Sequence, residues 1–345
     1  MLVLILFALT MLISCSDDES SPLIPPAIND TVDFTNLSSR IPGMPYSKIL
    51  SDIEIIGNKF WITSSDWHLS QFEVLVSTDS GKTFTSVPLG YIPVSIYMFP
   101  DGINGWIAAH NAILRTADGG FSWSVSCTFN GIASQISFPN QNYGYISGSV
   151  NQGTMNSKAA LFKTSNSGAN WIIDTIPNSI YNAYTVCAPN SALPDIVYFG
   201  AFISGTGNLY ISSDFGVTWI KQNTIPVNHH STKLIFVNQG LAWIVGRESF
   251  MNKFENSIWV SKTISSALNY SDIAFTPDGI NGWALSSAND SLTYAMFQTT
   301  DGGASWTRRY QYFTIWFPSS VEIVSATEAY FVGYGSTFIR YKKLN

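Results

Sequence analysis

Short apolar segments centred on an aromatic residue recur along the chain and define its organisation. Aromatic residues favour strands, because their broad side chains pack well on a pleated surface. Each segment therefore predicts one strand of a repeated unit. The seven segments are Phe60-Trp61, Gly105-Trp106, Gly144-Tyr145, Val197-Tyr198, Ala242-Trp243, Gly282-Trp283 and Ala329-Tyr330.

A second motif, Ser/Thr-x-Asp-x-Gly-x-x-Trp/Phe, follows the aromatic strand in five of these units. Its copies begin at Ser77, Thr116, Thr164, Ser212 and Thr299. The last interval is about twice the others, which places a unit with a decayed motif near Trp259. A repeat of about 45 residues is typical of the blades of a β-propeller.

The repeat predicts an all-β fold, a single seven-bladed β-propeller of four-stranded antiparallel blades over residues 29–345. We name the strands of a blade A to D from the centre outward, so the motif forms the C–D turn. The last unit, Ser320–Lys343, contains only three strands. Since an unpaired strand edge is a liability, we expect Thr31–Phe34 to supply the fourth strand and close the ring.

The motif residues are expected to have a structural role. A short carboxylate or amide oxygen can accept backbone N–H groups of its own turn, and glycine supplies a positive φ. Asn166 keeps the acceptor and loses the charge, which a structural role tolerates. The predicted turn residues are Asp79, Gly81, Asp118, Gly120, Asn166, Gly168, Asp214, Gly216, Asp301 and Gly303.

This motif resembles the Asp box of the bacterial neuraminidase repeat. Its pairing with a Gly-Trp strand, as in Gly282-Trp283 and Thr299–Trp306, is similar to propellers of the photosystem II assembly factor type. The resemblance covers nearly the whole chain after the N-terminal segment. It implies a propeller that acts as a secreted binding or assembly protein.

The N-terminal residues 1–14 are interpreted as a signal peptide, because the apolar run is shorter than the roughly 20 residues that a membrane-spanning helix needs. Leu12–Cys15 resembles a bacterial lipobox, which implies lipidation of Cys15. Ser16–Glu19 resembles the acidic export signal of Bacteroidetes lipoproteins. Residues 15–28 then form an acidic, Pro/Ser-containing linker, and the expected location is the outer membrane, surface-exposed or facing the periplasm. The alternative is a plain secretory leader with a chance cysteine.

Composition narrows the possible partners. Charged residues make up 12% of the chain and the formal net charge is −6, so nucleic acid is not an expected partner. Cys127 and Cys187 fall in units that are not neighbours, which predicts two buried free thiols. We expect a monomer without cofactor or metal, held at the membrane by its lipid.

The loops opposite the motif turns, B–C and D–A, are the expected ligand-binding end. Aromatic, histidine and arginine side chains there are candidate contacts. For Tyr312, Phe313 and Trp316, packing between blades is an equally open interpretation. Adjacent histidines point in opposite directions in an extended loop, which argues against a metal site. The candidates are Trp67, His68, His229, His230, Arg247, Tyr312 and Trp316.

The sequence favours a non-catalytic module that binds an envelope protein or a glycan, and a glycoside hydrolase is the alternative. Arg40-Ile41-Pro42 resembles a sialidase motif. Sialidase chemistry requires three arginines around one carboxylate, whereas only Arg40 and Arg247 are plausibly placed. We therefore expect no sialidase activity.

Overall fold

The structure, a computed structural model, describes residues 32–42, 47–66, 68–151, 157–175, 183–189, 191–203, 206–222, 231–264, 268–288, 294–312 and 317–344. The chain divides into a unit at residues 1–30 and a unit at residues 31–345. The predicted signal peptide, Cys15 and the linker 15–28 lie outside the described residues. Within the described ranges, no helix has the length and hydrophobicity needed to cross a bilayer.

The described residues of the second unit form mainly β-strands, with one 3-10 turn among them at Ser38–Arg40. In chain order, the first strands are β1 (Val32–Asn36), β2 (Ile49–Ile56), β3 (Lys59–Asp66), β4 (Gln71–Ser77), β5 (Thr85–Leu89), β6 (Pro93–Met98), β7 (Gly105–Thr116), β8 (Ser124–Ser137), β9 (Gly144–Val150), β10 (Lys158–Thr164) and β11 (Ile172–Thr175). The next are β12 (Ala183–Cys187), β13 (Val197–Ile203), β14 (Thr206–Ser212), β15 (Ile220–Lys221), β16 (Ser231–Asn238), β17 (Leu241–Gly246), β18 (Met251–Glu255) and β19 (Ile258–Ser261). The last are β20 (Leu268–Phe275), β21 (Gly282–Ala288), β22 (Tyr294–Thr299), β23 (Thr307–Tyr312), β24 (Pro318–Ser325), β25 (Glu328–Gly333) and β26 (Phe338–Lys343).

These strands form six antiparallel sheets, so the prediction of seven separate blades is wrong. Five sheets have four strands, and β6 to β11 form a sixth sheet of six strands. The all-β architecture with four-stranded antiparallel blades is confirmed in the other five.

Two long strands account for the difference. β7 pairs with β6 through residues 105–109 and with β8 through residues 110–115. β8 pairs with β9 through residues 131–137. Asn111 has a positive φ of 63° and bends β7. Its position corresponds to the turn at His68–Ser70 that separates β3 from β4 in the first sheet. The two units predicted here therefore share one continuous sheet.

The ring is closed by the N-terminal strand, as predicted. β1 pairs antiparallel with β26, from Val32 opposite Lys343 to Asn36 opposite Ile339. Strands β2, β6, β8, β12, β16, β20 and β24 are the innermost, and each packs against the next, with β24 against β2.

Between sheets, two of the motif glycines, Gly120 and Gly303, pack on an aromatic residue of the preceding sheet. A Cβ on Gly120 would lie 2.7 Å from Nε1 of Trp61, which itself donates a hydrogen bond to the carbonyl oxygen of Gly119 at 2.7 Å. Gly303 lies in the same way on Trp243. The two repeated sequence features therefore meet at the interface between sheets.

Both cysteines of the described region are free, as expected. They are half-buried rather than buried. Cys187 ends the inner strand β12, and Cys127 lies in β8.

Candidate functional site: the central channel

The motif carboxylates hold their own turns together. Asp118 Oδ1 accepts the backbone N–H of Ser122 at 2.9 Å and the Thr116 hydroxyl at 2.8 Å, and Oδ2 accepts the Ser122 hydroxyl at 2.6 Å. Asn166 accepts equivalent bonds through its amide oxygen. The same motif holds the other turns, at Asp79, Asp214 and Asp301, and Gly81, Gly120, Gly168, Gly216 and Gly303 all have positive φ.

These hydrogen bonds stabilise the ionised carboxylate. The Ser305 side chain and backbone, followed by Thr299, lower the pKa of Asp301 to about 2. Ser122 lowers the pKa of Asp118 in the same way. A carboxylate with a lowered pKa and filled acceptor positions is poorly suited to act as a general acid near neutral pH, so this geometry supports a structural role.

The residues predicted at the loop end are only partly described. His68 is exposed, and its N–H donates to Asp66 Oδ1 at 3.0 Å. Arg247 is exposed in the turn after β17. Tyr312 pairs with Tyr294 through the backbone of β23. The sheets that carry His68 and Arg247 are not neighbours in the ring. The candidates outside the described residues are Trp67, His229, His230 and Trp316.

The two arginines of the sialidase alternative lie at opposite ends of the ring. Arg40 donates through Nη1 to the carbonyl oxygen of Gly81 at 3.1 Å, in the turn between β4 and β5. Arg247 lies at the loop end, between β17 and β18. They do not converge on one carboxylate.

A central channel is the feature that the sequence analysis missed. Each inner strand has a register shift in its pairing with the following strand, which marks a β-bulge. These bulges surround a cavity of about 240 Å³ at the loop end. We call it the polar cup, because its wall includes Ser51, Ser95, Ser134, Ser271, Ser319 and Ser320.

Two aspartates that line the polar cup join neighbouring inner strands. Asp52 accepts the Ser95 hydroxyl at 2.8 Å and the Ser320 hydroxyl at 3.0 Å. Asp272 accepts the N–H of Val321 at 2.9 Å and lies 3.0 Å from the same Ser320 hydroxyl, whose single proton the two aspartates share. This network connects β20, β24, β2 and β6.

Lys233 of β16 is the cation within this network. Its Nζ lies 3.5 Å from Asp272 Oδ1. Burial disfavours the charged amine, but the charges of Asp272, Asp52 and Glu322 more than compensate and raise the pKa of Lys233 above its usual range. Lys233 therefore stays protonated inside the channel.

The channel widens towards the motif turns into a second cavity of about 320 Å³. We call this the acidic chamber, and its wall includes Glu54, Glu322, Tyr97, Phe138, Phe236 and Phe275. Burial, together with Asp52 and Asp272, raises the pKa of Glu322 to about 8, and Lys233 offsets part of this increase. Burial and the charge of Glu322 raise the pKa of Glu54 as well.

A sequence signal for the channel existed. Ser51-Asp52-Ile53 and Ser271-Asp272-Ile273 are identical tripeptides in corresponding inner strands. A polar pair inside an apolar strand indicates either a bulge or a solvent-filled space.

Comparison with known proteins supports the fold. No family model and no curated protein sequence matches the chain. Among solved structures, it is similar to YCF48 bound to D1 peptide, with TM-score 0.63 and 18% identity over 93% of this chain and 99% of that chain. YCF48 from Cyanidioschyzon merolae gives TM-score 0.63 and 16% identity over 90% and 99%.

A carbohydrate-active enzyme shares the fold. The GH74 xyloglucanase from Xanthomonas campestris has TM-score 0.64 and 12% identity, over 91% of this chain and 54% of the enzyme. The chain thus corresponds to about half of that enzyme. These similarities confirm a propeller that resembles the photosystem II assembly factor type, and at such low identity they show the fold alone.

Proposed function

We propose that this protein is a non-catalytic binding module that receives a protein segment at the loop end of its ring. The observation that carries the proposal is the polar cup, where bulges of the inner strands gather serine hydroxyls around one cavity. Such groups can hydrogen-bond the backbone of an extended peptide, and loops on a rigid scaffold are common binding positions. YCF48, which shares the fold, has been seen with a D1 peptide.

The loop residues predicted from the sequence would extend this surface around the cup. Trp67, His68, His229, His230, Arg247, Tyr312 and Trp316 are the proposed contacts. An envelope protein is the proposed partner, with a glycan as the other outcome of the test.

The test places a bulky side chain in the cup. Ser319→Trp should abolish capture of an envelope protein from membrane extract, because Ser319 lines the cavity. Ser325→Trp is the matched control at the opposite, exposed end of the same strand. Equal capture by both variants contradicts the proposed binding end. Binding to a glycan array that Ser319→Trp abolishes would instead identify a sugar ligand.

A glycosidase needs two carboxyl groups in a cleft that admits a sugar, about 5 to 9.5 Å apart. In the described part of the chain, the acids that converge lie inside the channel, and two of them are engaged by hydrogen bonds that join strands. The two engaged aspartates are poorly suited to acid–base catalysis, and the non-catalytic proposal expects no glycoside hydrolysis. Hydrolysis of a xyloglucan or sialoside by purified protein would contradict it.

Membrane anchoring through Cys15 is part of the same proposal. Cys15→Ala should move the protein from the membrane fraction to the soluble fraction and abolish incorporation of labelled palmitate. Ser14→Ala, one residue earlier, is a control that keeps the thiol. Palmitate incorporation that persists in Cys15→Ala rules out lipidation at this residue.

A further inference from the structure

The channel contains more acids than it can neutralise. Asp52, Glu54, Asp272 and Glu322 are carboxyl groups that line its two cavities, and Lys233 is the cation facing them. Ionised carboxylates away from bulk water are costly unless a cation or a hydrogen-bond donor compensates them. How each of the four acids is compensated therefore indicates what the channel can bind.

The two aspartates are compensated by the protein itself. Asp52 accepts a bond from Ser95, Asp272 accepts one from Val321, and the two aspartates share the single proton of the Ser320 hydroxyl. Asp272 also lies next to Lys233, at 3.5 Å. Their acceptor positions and charge are thus largely used within the ring.

The two glutamates are not compensated in this way. No residue in the described part of the chain donates a hydrogen bond to Glu54 or Glu322, and the charge of Glu322 contributes, after burial, to the raised pKa of Glu54. The Tyr97 hydroxyl, which also lines the acidic chamber, donates instead to the carbonyl oxygen of Phe138 at 3.3 Å. Two carboxyl groups thus face one cavity with free acceptor positions.

The shape and wall of the acidic chamber limit the ligand. A volume of about 320 Å³ is at the small end for ligand pockets, which suits one side chain or a small molecule. Ile53, Ile96 and Ile136 supply aliphatic wall. Among the described residues, no three acidic, histidine or cysteine groups are placed to hold a metal ion. An organic cation fits these features better than a metal ion.

We propose that the acidic chamber binds a protonated alkylamine, such as a lysine side chain, with the ammonium group between Glu54 and Glu322 and the aliphatic stem against the isoleucines. The ammonium supplies hydrogen-bond donors to the two carboxyl groups once they are ionised, and adds positive charge to the part that Lys233 already provides. This site adjoins the polar cup on the side of the motif turns and goes beyond the binding function proposed above.

The test is calorimetric titration of the full chain at pH 8 and low salt. The probes are N-acetyl-lysine methyl ester and pentylamine, with N-acetyl-norleucine methyl ester as the neutral match in shape. The lysine derivative should bind and the norleucine derivative should not. Glu54→Gln and Glu322→Gln should each weaken binding at least tenfold. Binding of pentylamine but not of the lysine derivative would restrict the ligand to free amines. Binding of both would show that the site also accepts the side chain of a lysine residue.

The control variant is Glu248→Gln, which removes one negative charge from the exposed turn after β17. It should leave amine affinity unchanged, as should the cup variant Ser319→Trp, so this proposal can fail separately from the first. Melting curves establish whether each variant folds. One folded glutamate variant is enough to test the proposal. Equal affinity for the norleucine derivative, no binding of either amine, or unchanged affinity in a folded glutamate variant overturns the proposal.

Discussion

Single glycines decide how closely neighbouring sheets can approach. At Gly303, φ is +79° and an added Cβ would lie 2.4 Å from two ring carbons of Trp243. At Gly57, φ is +61° but nothing lies within 4 Å of an added Cβ. Both positions have a backbone conformation that is strained for an L-residue, but only Gly303 has a neighbour that a Cβ would contact. Comparing them separates the cost of the positive φ from the cost of the steric contact.

Gly303→Ala should therefore destabilise the protein more than Gly57→Ala. Both substitutions place an L-residue in the left-handed region, at a cost of about 1–2 kcal/mol. Gly303→Ala must also displace the buried Trp243, which adds about 1–3 kcal/mol. Urea unfolding of the two variants measures the difference. Equal midpoints would show that the indole moves aside freely and that the glycine is needed only for its φ.

Asp118→Ala should lower the free energy of unfolding by about 1–2 kcal/mol, because it removes the acceptor of Ser122, which is exposed, and of the Thr116 hydroxyl, which is buried. Asp118→Asn should cost less, since Asn166 fills the same position in the next motif copy. Thermal melting at pH 7 compares the two. A larger loss for the Asn variant would mean that the charge, rather than the acceptor, stabilises the turn.

The sequence predicted these turns well because their hydrogen bonds connect residues at most four positions apart. It missed the channel because the contacts there join distant residues. Ser320 bonds to Asp52 across 268 positions of the chain. In a turn motif the donor and the acceptor are only a few residues apart in the sequence. The residues that contact Asp52 are distant in sequence and come together only when the ring closes.

At the scale of strands, repeat spacing located the units but not the limits of hydrogen bonding. The aromatic segments at Trp106 and Tyr145 predict separate blades, yet β7 and β8 run on and join them. No residue within β8 stops the pairing, since the strand continues from Ser124 to Ser137. A period counts repeats, while the number of sheets depends on where strands are interrupted.

The closing strand was predictable because the last unit lacked a partner, and its stability should depend on one aromatic residue. Phe34 of β1 contacts Trp283, Tyr310 and Tyr341, with ring centroids 6.2, 5.4 and 5.3 Å away. Since Phe34 is half-buried, Phe34→Ala should cost about 2–3 kcal/mol, below the value for a fully buried Phe.

Hydrogen exchange of β26 is the measurement for Phe34→Ala, because loss of β1 would expose the outer edge of β26. The control is Ile258→Ala in β19, an outer strand whose isoleucine is 55% exposed. It should change stability by less than about 0.5 kcal/mol. Unchanged protection of β26 in Phe34→Ala would show that backbone pairing alone holds the ring closed.

At the scale of the whole molecule, the ring concentrates like charges along its axis. Lys233 offsets part of the repulsion between the acids of three inner strands. The proton that Glu322 retains offsets more of it, because burial and nearby acids raise its pKa to about 8. Closure of the ring is therefore coupled to protonation inside it.

This coupling predicts that the free energy of unfolding falls as the pH rises from 5 to 8. Between the ordinary glutamate pKa of 4.5 and about 8, the folded state holds a proton that the unfolded chain has released, so raising the pH favours unfolding. Glu54 and Asp272 act in the same direction. His110 acts in the opposite direction, because burial lowers its pKa. The wild type should lose at least about 1 kcal/mol over this range.

Glu322→Gln isolates the effect, since the neutral amide keeps the shape and cannot release a proton. Its stability should change less between pH 5 and pH 8 than that of the wild type, while the contribution of His110 is common to both. Guanidinium unfolding at each pH gives the two slopes. The motif aspartates do not interfere, because their lowered pKa values confine their contribution to more acidic solutions. Parallel slopes for the two proteins would mean that Glu322 is already ionised in the folded ring at pH 5, and that the channel charges are compensated by something other than a retained proton.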